Sequence, residues 1–197
     1  MIYNSKDFEF AYYTAQKWRA VRQELLALSN NNFIPWHEEY LYNFGWKVFG
    51  LYAFGTRIDE NCELCPETTK LAESIPGMVT AGFSTLKPGT RINPHQGQAF
   101  AYKDGKVYPI GNDNSKVLRC HLGLIVPQIQ NEYECALRVG DRLTTWQEGE
   151  WTIFDDTITH SAWNLTQETR VVLLVDFQKK LQKLPVMNND STVHNYV

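Results

Sequence analysis

From Met78 onward the chain changes period. The segments Met78–Leu86, Val117–Val126, Tyr133–Trp146, Trp151–Phe154, Thr159–Leu165 and Arg170–Phe177 read as strands. Clusters of Gly, Pro, Asn and Asp separate them, with no helical period between. Short strands in series, without crossover helices, close as an antiparallel sandwich or barrel. The fold class expected is therefore mainly β. Because side chains alternate along a strand, period two also tells which residues point inward.

In Val117–Val126 the residues Leu118, Cys120, Leu122, Leu124 and Val126 share one face, and Arg119, His121 and Gly123 the other. Arg170 opens the last strand and alternates with Val172 and Leu174, which aims it at the barrel interior. A guanidinium on an inward face must be paired or must line a polar cavity. His95 follows Pro94 and precedes Gly97 by two; His160 closes the polar run Asp155-Asp156-Thr157. Imidazole is the commonest protein metal ligand, and function concentrates on loops and strand ends of a rigid scaffold. These placements predict that His95 and His160 hold one metal ion at the mouth of a small β-barrel. Two arginines and His121 beside them would suit a dianionic ligand bound next to a cation, since arginine grips carboxylates bidentately. Singly, each residue has a plainer reading. His121 reads as a hydrogen-bonded core histidine, Arg170 as a surface partner of Asp176 or Glu168, and Asp155 and Asp156 as turn formers.

The rest of the chain reads as support. Phe8, Ala11, Ala15, Trp18, Val21, Leu25 and Leu28 form one apolar stripe, which predicts a helix over 8–28 packed outside a sheet. Residues 33–58 are aromatic-rich, with a strand expected over Trp46 to Ala53. These aromatics read as core filling, or else Trp36 or His37 lines a substrate groove. Pro66 sits at a first helical position and Pro76-Gly77 stops that helix. The long polar segment 98–114 reads as a hairpin or flap, and the tail after Gln178 as a fraying end. The division expected is an N-terminal helical and aromatic-rich segment over 1–77 packing on the barrel, a barrel core over 78–178, and a tail over 179–197, in one structural domain.

A net charge of -3 and a pI near 6.0 leave no electrostatic footprint for nucleic acid. No apolar run approaches the ~20 residues needed to span a bilayer. The start MIYNSKDFEF lacks a basic n-region and apolar core. A cytoplasmic protein without membrane partner is expected, its cysteines reduced. Cys62 and Cys65 form a lone C-x-x-C, and a zinc site there would need partners that the spacing does not provide. Oligomeric state is not legible.

The stretches PGTRINPHQG, RCHLGLIVP and WQEGEWTIFDDTITHSAWN followed by RVVLLVDF resemble the aspartyl/asparaginyl β-hydroxylase family, a branch of the iron(II)/2-oxoglutarate oxygenases. The resemblance runs over roughly residues 60 to 178, and CPETTKLAESIPGM is similar to the related lipid A hydroxylases. It implies a double-stranded β-helix, the cupin-like jelly roll, with flanking N-terminal helices. It implies iron(II) on His95 and His160, with 2-oxoglutarate and O2 as cosubstrates. Arg170 would bind the distal carboxylate of 2-oxoglutarate, with Ser84 and His121 helping and Leu86 beside them. Arg119 would contact a substrate carboxylate or amide, with Gly97 and Trp36 on the substrate side. Most oxygenases of this class carry a carboxylate ligand two residues after the first histidine; here that position is Gly97, and the family lacks that ligand. The implied reaction hydroxylates an unactivated C–H bond, either the β-carbon of Asp or Asn in a peptide or a free or carrier-bound amino acid, or a fatty acyl chain. The rival classes are a zinc-dependent cupin enzyme and a non-catalytic binding module on the same barrel.

Overall fold

The computed structural model describes residues 1–97, 100–103, 106–109 and 117–179, with backbone only over 100–103 and 106–109. The first quarter of the chain gives β1 (Ile2–Tyr3), α1 (Glu9–Ala15), α2 (Trp18–Ala27), β2 (Ile34–Pro35) and β3 (Trp46–Ala53). Next come β4 (Thr56–Arg57), α3 (Asp59–Leu64), α4 (Pro66–Glu73), β5 (Met78–Leu86) and β6 (Thr90–His95). The remainder is all strand: β7 (Phe100–Lys103), β8 (Lys106–Pro109), β9 (Val117–Ile125), β10 (Cys135–Val139), β11 (Arg142–Thr144), β12 (Trp151–Phe154), β13 (His160–Asn164) and β14 (Arg170–Gln178).

Two antiparallel sheets face one another. The major sheet runs β1-β12-β9-β14-β5-β3-β2, with β4 paired to β3; the minor sheet runs β11-β10-β13-β6. The strand pattern predicted an antiparallel sandwich or barrel, and the arrangement is the jelly roll that the family resemblance implied. Strands from the first 77 residues lie in the major sheet, so that segment both extends the barrel and covers it. Period two divides the packing as the sequence implied. Leu118, Cys120, Leu122 and Leu124 of β9 and Val171, Leu173, Val175 and Phe177 of β14 join one cluster with Phe10, Val21, Leu25 and Leu71 of the helices. Leu86, Val172, Leu137, Val139 and Phe154 join a second cluster between the sheets. Full burial of side chains this size stabilises by roughly 1.5–3 kcal/mol each. The helices bind the outer face, and the inner face carries the second cluster together with the polar groups His121, His160 and Arg170.

Several local expectations need correcting. The predicted single helix over 8–28 breaks at Gln16-Lys17 into α1 and α2. Thr14 Oγ1 donates back to Phe10 O at 2.7 Å, a bond that bends helices, and also accepts from Trp151 Nε1 at 3.0 Å. The predicted strand Tyr133–Trp146 is two strands, because Gly140 takes φ +60 and Gly140-Asp141 turns the chain between Val139 and Arg142. β6 gave no strand signal, since Pro94 interrupts it; β6 lies at the edge of the minor sheet, where a missing N–H is tolerated. Within 98–114 a hairpin is present, Phe100 pairing Pro109 and Lys103 pairing Lys106. The rest of that segment, and the tail from 180, lie outside the described residues. Among the described residues no helix is long and apolar enough to cross a membrane.

One turn is strained. β3 and β4 are joined by Phe54-Gly55, and both residues have positive φ, 49 and 83. Such two-residue turns favour Asn-Gly, because Asn tolerates the left-handed region. A phenylalanine there costs about 1–2 kcal/mol.

Candidate active site

The antiparallel pairing of β13 with β6 sets His160 opposite His95. Their ring centroids are 4.2 Å apart. Each ring is oriented by a carbonyl two residues back: His95 Nδ1 lies 2.8 Å from Asn93 O and His160 Nδ1 3.0 Å from Ile158 O. A carbonyl only accepts, so Nδ1 carries the proton on both rings and both Nε2 lone pairs are free. Burial, then the neighbouring His95 and Arg119, lowers the His160 pKa to about 3. Burial lowers His95 as well. Both imidazoles are therefore neutral at pH 7, the state that ligates metal. Among the described residues no third His, Cys, Asp or Glu completes a ligand cluster.

Behind the pair lies a cavity of about 30 Å³ lined by Trp46, Ser84, Arg119, His121, His160 and Arg170, among others. Trp146 Nε1 donates to His121 Nδ1 at 3.2 Å, which assigns the His121 proton to Nε2. That Nε2 is buried with no partner. Burial, and then Arg170 and Arg119, holds the His121 pKa well below the ordinary value. The Arg170 guanidinium lies 4.5 Å from the Trp146 ring centroid and donates from Nη1 to Ser84 O at 3.2 Å. Its Nε is buried and unpartnered. Arg170 is 2% exposed, and burial lowers its pKa to about 10. Ser84 Oγ accepts from Trp46 Nε1 at 3.1 Å, leaving its own proton free to donate. Three donors thus converge without acceptors, an arrangement that costs stability unless an anion answers them.

Arg119 is not free in the same way. It donates to Asp176 from Nε at 2.7 Å and Nη2 at 2.9 Å, and stands 3.3 Å from Asp156 Oδ2. Burial opposes its charge, but the two carboxylates more than offset this and raise its pKa above the ordinary guanidinium range. Burial raises the Asp156 pKa to about 6, against the pull of Arg119. The sequence suggested Asp155 and Asp156 only as turn formers. Asp155 fills that role, its Oδ1 accepting from Thr157 N at 3.1 Å. Asp156 does more: its side chain turns into the site, and no motif spacing marked it. Gly97 donates from its backbone N to Asp156 O at 2.8 Å. A Cβ at Gly97 would overlap Asp156 Oδ2 and stand 2.6 Å from its Cγ. Thus the Asp156 side chain occupies the space a carboxylate at position 97 would need.

An outer cleft of about 340 Å³ opens beside His95, lined by Trp36, Glu38, Tyr40, Phe54, Gly97 and Asp156, among others. His95, Trp46 and Arg119 line both spaces. Trp36 stacks on Trp46 with centroids 4.8 Å apart and 12° between planes. Leu86 lines neither cavity; it is fully buried in the core between the sheets, paired with Arg170 in register. Cys62 and Cys65 are buried and unbridged, and burial pushes the Cys65 thiol up to about 12. Cys65 caps α4 before Pro66, as the sequence implied.

The fold is shared with known oxygenases. A Pseudomonas putida prolyl-4-hydroxylase superposes with a TM-score of 0.51 at 15% identity, over 83% of this chain and 86% of that one. HygX from Streptomyces hygroscopicus, solved with nickel and 2-oxoglutarate bound, gives 0.50 at 10% identity, over 83% and 78%. The sequence goes further than the fold. The aspartyl/asparaginyl β-hydroxylase profile matches residues 15–180, and the chain belongs to that family of hydroxylase enzymes. The ornithine lipid ester-linked acyl 2-hydroxylase of Rhizobium tropici is 35% identical over 189 residues, 92% of this chain and 61% of that protein. The human aspartyl/asparaginyl β-hydroxylase is 30% identical over 171 residues, 82% of this chain and 20% of that protein.

Proposed function

We propose that the protein is an iron(II)- and 2-oxoglutarate-dependent dioxygenase that hydroxylates an unactivated C–H bond. The observation that carries this reading is the facing of two kinds of group across one small space. Two neutral imidazoles offer Nε2 lone pairs, and opposite them His121 Nε2–H, Arg170 Nε–H and Ser84 Oγ–H have no acceptor. These residues fit a divalent cation chelated by an oxo-diacid. His95 and His160 would hold the iron, and Arg170, Ser84 and His121 would take the far carboxylate of 2-oxoglutarate. When bound, iron and 2-oxoglutarate supply activation of O2, releasing succinate and carbon dioxide and transferring one oxygen atom to the substrate. The chain's own residues position and insulate. The Trp146 face and the Ser84 carbonyl fix Arg170; Phe154, Leu137 and Leu174 wall the inner cavity against water. Asp156 blocks a third protein ligand and leaves the cleft side of the pair for water, O2 and substrate.

The family name points to the β-carbon of an Asp or Asn residue, in a peptide or a free or carrier-bound amino acid. An acyl chain is the second reading, favoured by the R. tropici relative. A cytoplasmic location accords with both the peptide and the free amino acid reading. The decisive experiment incubates the protein with iron(II), ascorbate, 2-oxoglutarate and O2 and measures succinate. Succinate is expected, and it should vanish in His160→Ala. Stoichiometric zinc without succinate under iron loading would instead favour a zinc hydrolase or isomerase, and binding without turnover a binding module.

A further inference from the structure

Glu38 stands at the wall of the outer cleft and is held by neutral donors. Trp36 Nε1 donates to its Oε2 at 3.2 Å, and Tyr40 OH donates to its Oε1 at 2.8 Å. These bonds fix the carboxylate without cancelling its charge. His37 Nε2 is 4.0 Å from it, but that ring is mostly exposed. The only guanidinium on the described wall, Arg119, is already engaged by Asp176 and Asp156. Carboxylates therefore outnumber cations along the described lining.

The second observation is Phe54. Its turn would be relaxed by asparagine, yet a phenylalanine occupies it and lines the same cleft as Trp36 and Tyr40. Strained backbone clusters at ligand clamps and active sites, and this turn lies at the rim of the cleft. A pre-oriented carboxylate among aromatic rings is the chemistry that recognises ammonium and guanidinium groups. We propose that this cleft selects a substrate bearing a cationic group, held by Glu38 among the rings of Trp36, Tyr40 and Phe54, and that Phe54 is a specificity-determining residue. The proposal rests on the hydroxylase reading and deepens it. The cationic group would anchor the substrate, while its apolar carbons reach inward past Trp46 towards His95.

The test uses the full chain loaded with nickel(II) and 2-oxoglutarate, so that no turnover occurs. Tryptophan fluorescence is titrated with n-butylammonium, n-butanol and butanoate. Saturable binding of the ammonium is expected at least ten-fold tighter than of butanol, with butanoate weakest. Glu38→Gln should reduce the ammonium preference to three-fold or less. Phe54→Asn should weaken ammonium binding five-fold or more while leaving the melting temperature equal or higher, whereas a merely structural Phe54 would lower it. Equal binding of butanoate, no saturable ammonium binding, or Phe54→Asn with intact affinity overturns the proposal. A turnover panel of peptides and amino acids bearing Lys, Arg or ornithine beside Asp and Asn separates the two levels. Succinate coupled only to acidic substrates would sink the cationic anchor and keep the dioxygenase; failure to bind nickel and 2-oxoglutarate would sink the dioxygenase first.

Discussion

Placing aspartate at position 97 looks like a way to restore a third metal ligand, since most oxygenases of this class carry a carboxylate there. The structure argues the reverse. A Cβ at 97 would overlap Asp156 Oδ2 and reach 2.6 Å from Cγ, so the substitution must push the Asp156 side chain out. Asp156 is 5% exposed and lies 3.3 Å from Arg119. Removing one member of a buried pair costs about 3–5 kcal/mol. Here Asp176 keeps Arg119 in two hydrogen bonds, which lowers the expected loss to about 2–4 kcal/mol. For a chain of this length, that is a fall of about 4–16 °C in melting temperature. Calorimetric metal titration of Gly97→Asp, with Gly97→Ala as the control for bulk alone, provides the assay. Both variants should melt lower, and neither should bind iron(II) or nickel(II) more tightly than the native protein. Tighter metal binding by Gly97→Asp at undiminished stability would refute the steric argument.

The same logic extends to other groups. Arg170→Met should raise the melting temperature of the ligand-free protein, by about 1–3 kcal/mol of stability, because a buried guanidinium without a carboxylate partner is replaced by an apolar chain. That variant should lose the stabilisation that 2-oxoglutarate gives the native protein, about 2.7 kcal/mol at a hundred times Kd, as read by thermal shift. His160→Ala should abolish cooperative nickel binding with 2-oxoglutarate in calorimetry while leaving the fold intact by circular dichroism. Metal-free stability should rise with pH between about 4 and 6.5. The folded pKa of His160 is lowered to about 3, and those of His95 and His121 are lowered too, so the unfolded chain binds more protons in that window and stability is lost as pH falls. Asp156, raised to about 6, acts with the opposite sign but is one group against three. Urea midpoints that fall with rising pH over that window would contradict this balance.

An antiparallel sandwich or barrel was legible because strand alternation and turn residues are local signals; the jelly-roll form came from the family resemblance. The rows Leu118–Leu124 and Val171–Phe177 could be assigned to one face from the sequence, and Arg119, His121 and Arg170 to the other. The histidine pair was legible as a candidate for a related reason: His95 ends a strand and His160 follows a turn and begins one, where a ring can project. Less visible was what depends on pairing across the fold. β6 was hidden by Pro94, because edge position is a property of the whole sheet and not of the segment. Asp156 read as a turn residue, since its partner Arg119 lies far away in the chain and meets it only when β9 and β12 pair. Glu38 carried no spacing signal at all; its role rests on Trp36 and Tyr40 donating to it from the same loop. Phe54-Gly55 could have been noticed as an unsuitable residue before a glycine in a tight turn.

The two inward arginines show how one sheet face separates binding from support. They lie on neighbouring strands; Arg170 is buried and Arg119 half-buried. Arg119 meets Asp176 across the β9–β14 register and is satisfied within the protein. Arg170 sits further along β14, beside Val172 and Leu86, where the facing residues are Trp146 and Cys135 rather than a carboxylate. A charge left in that condition lowers the stability of the ligand-free chain, and a fold selected for stability alone would replace it. Its presence is accounted for when a dianion completes it. Arg119, already neutralised, is then a brace that holds Asp156 against Gly97 and keeps the cleft side of the histidine pair open.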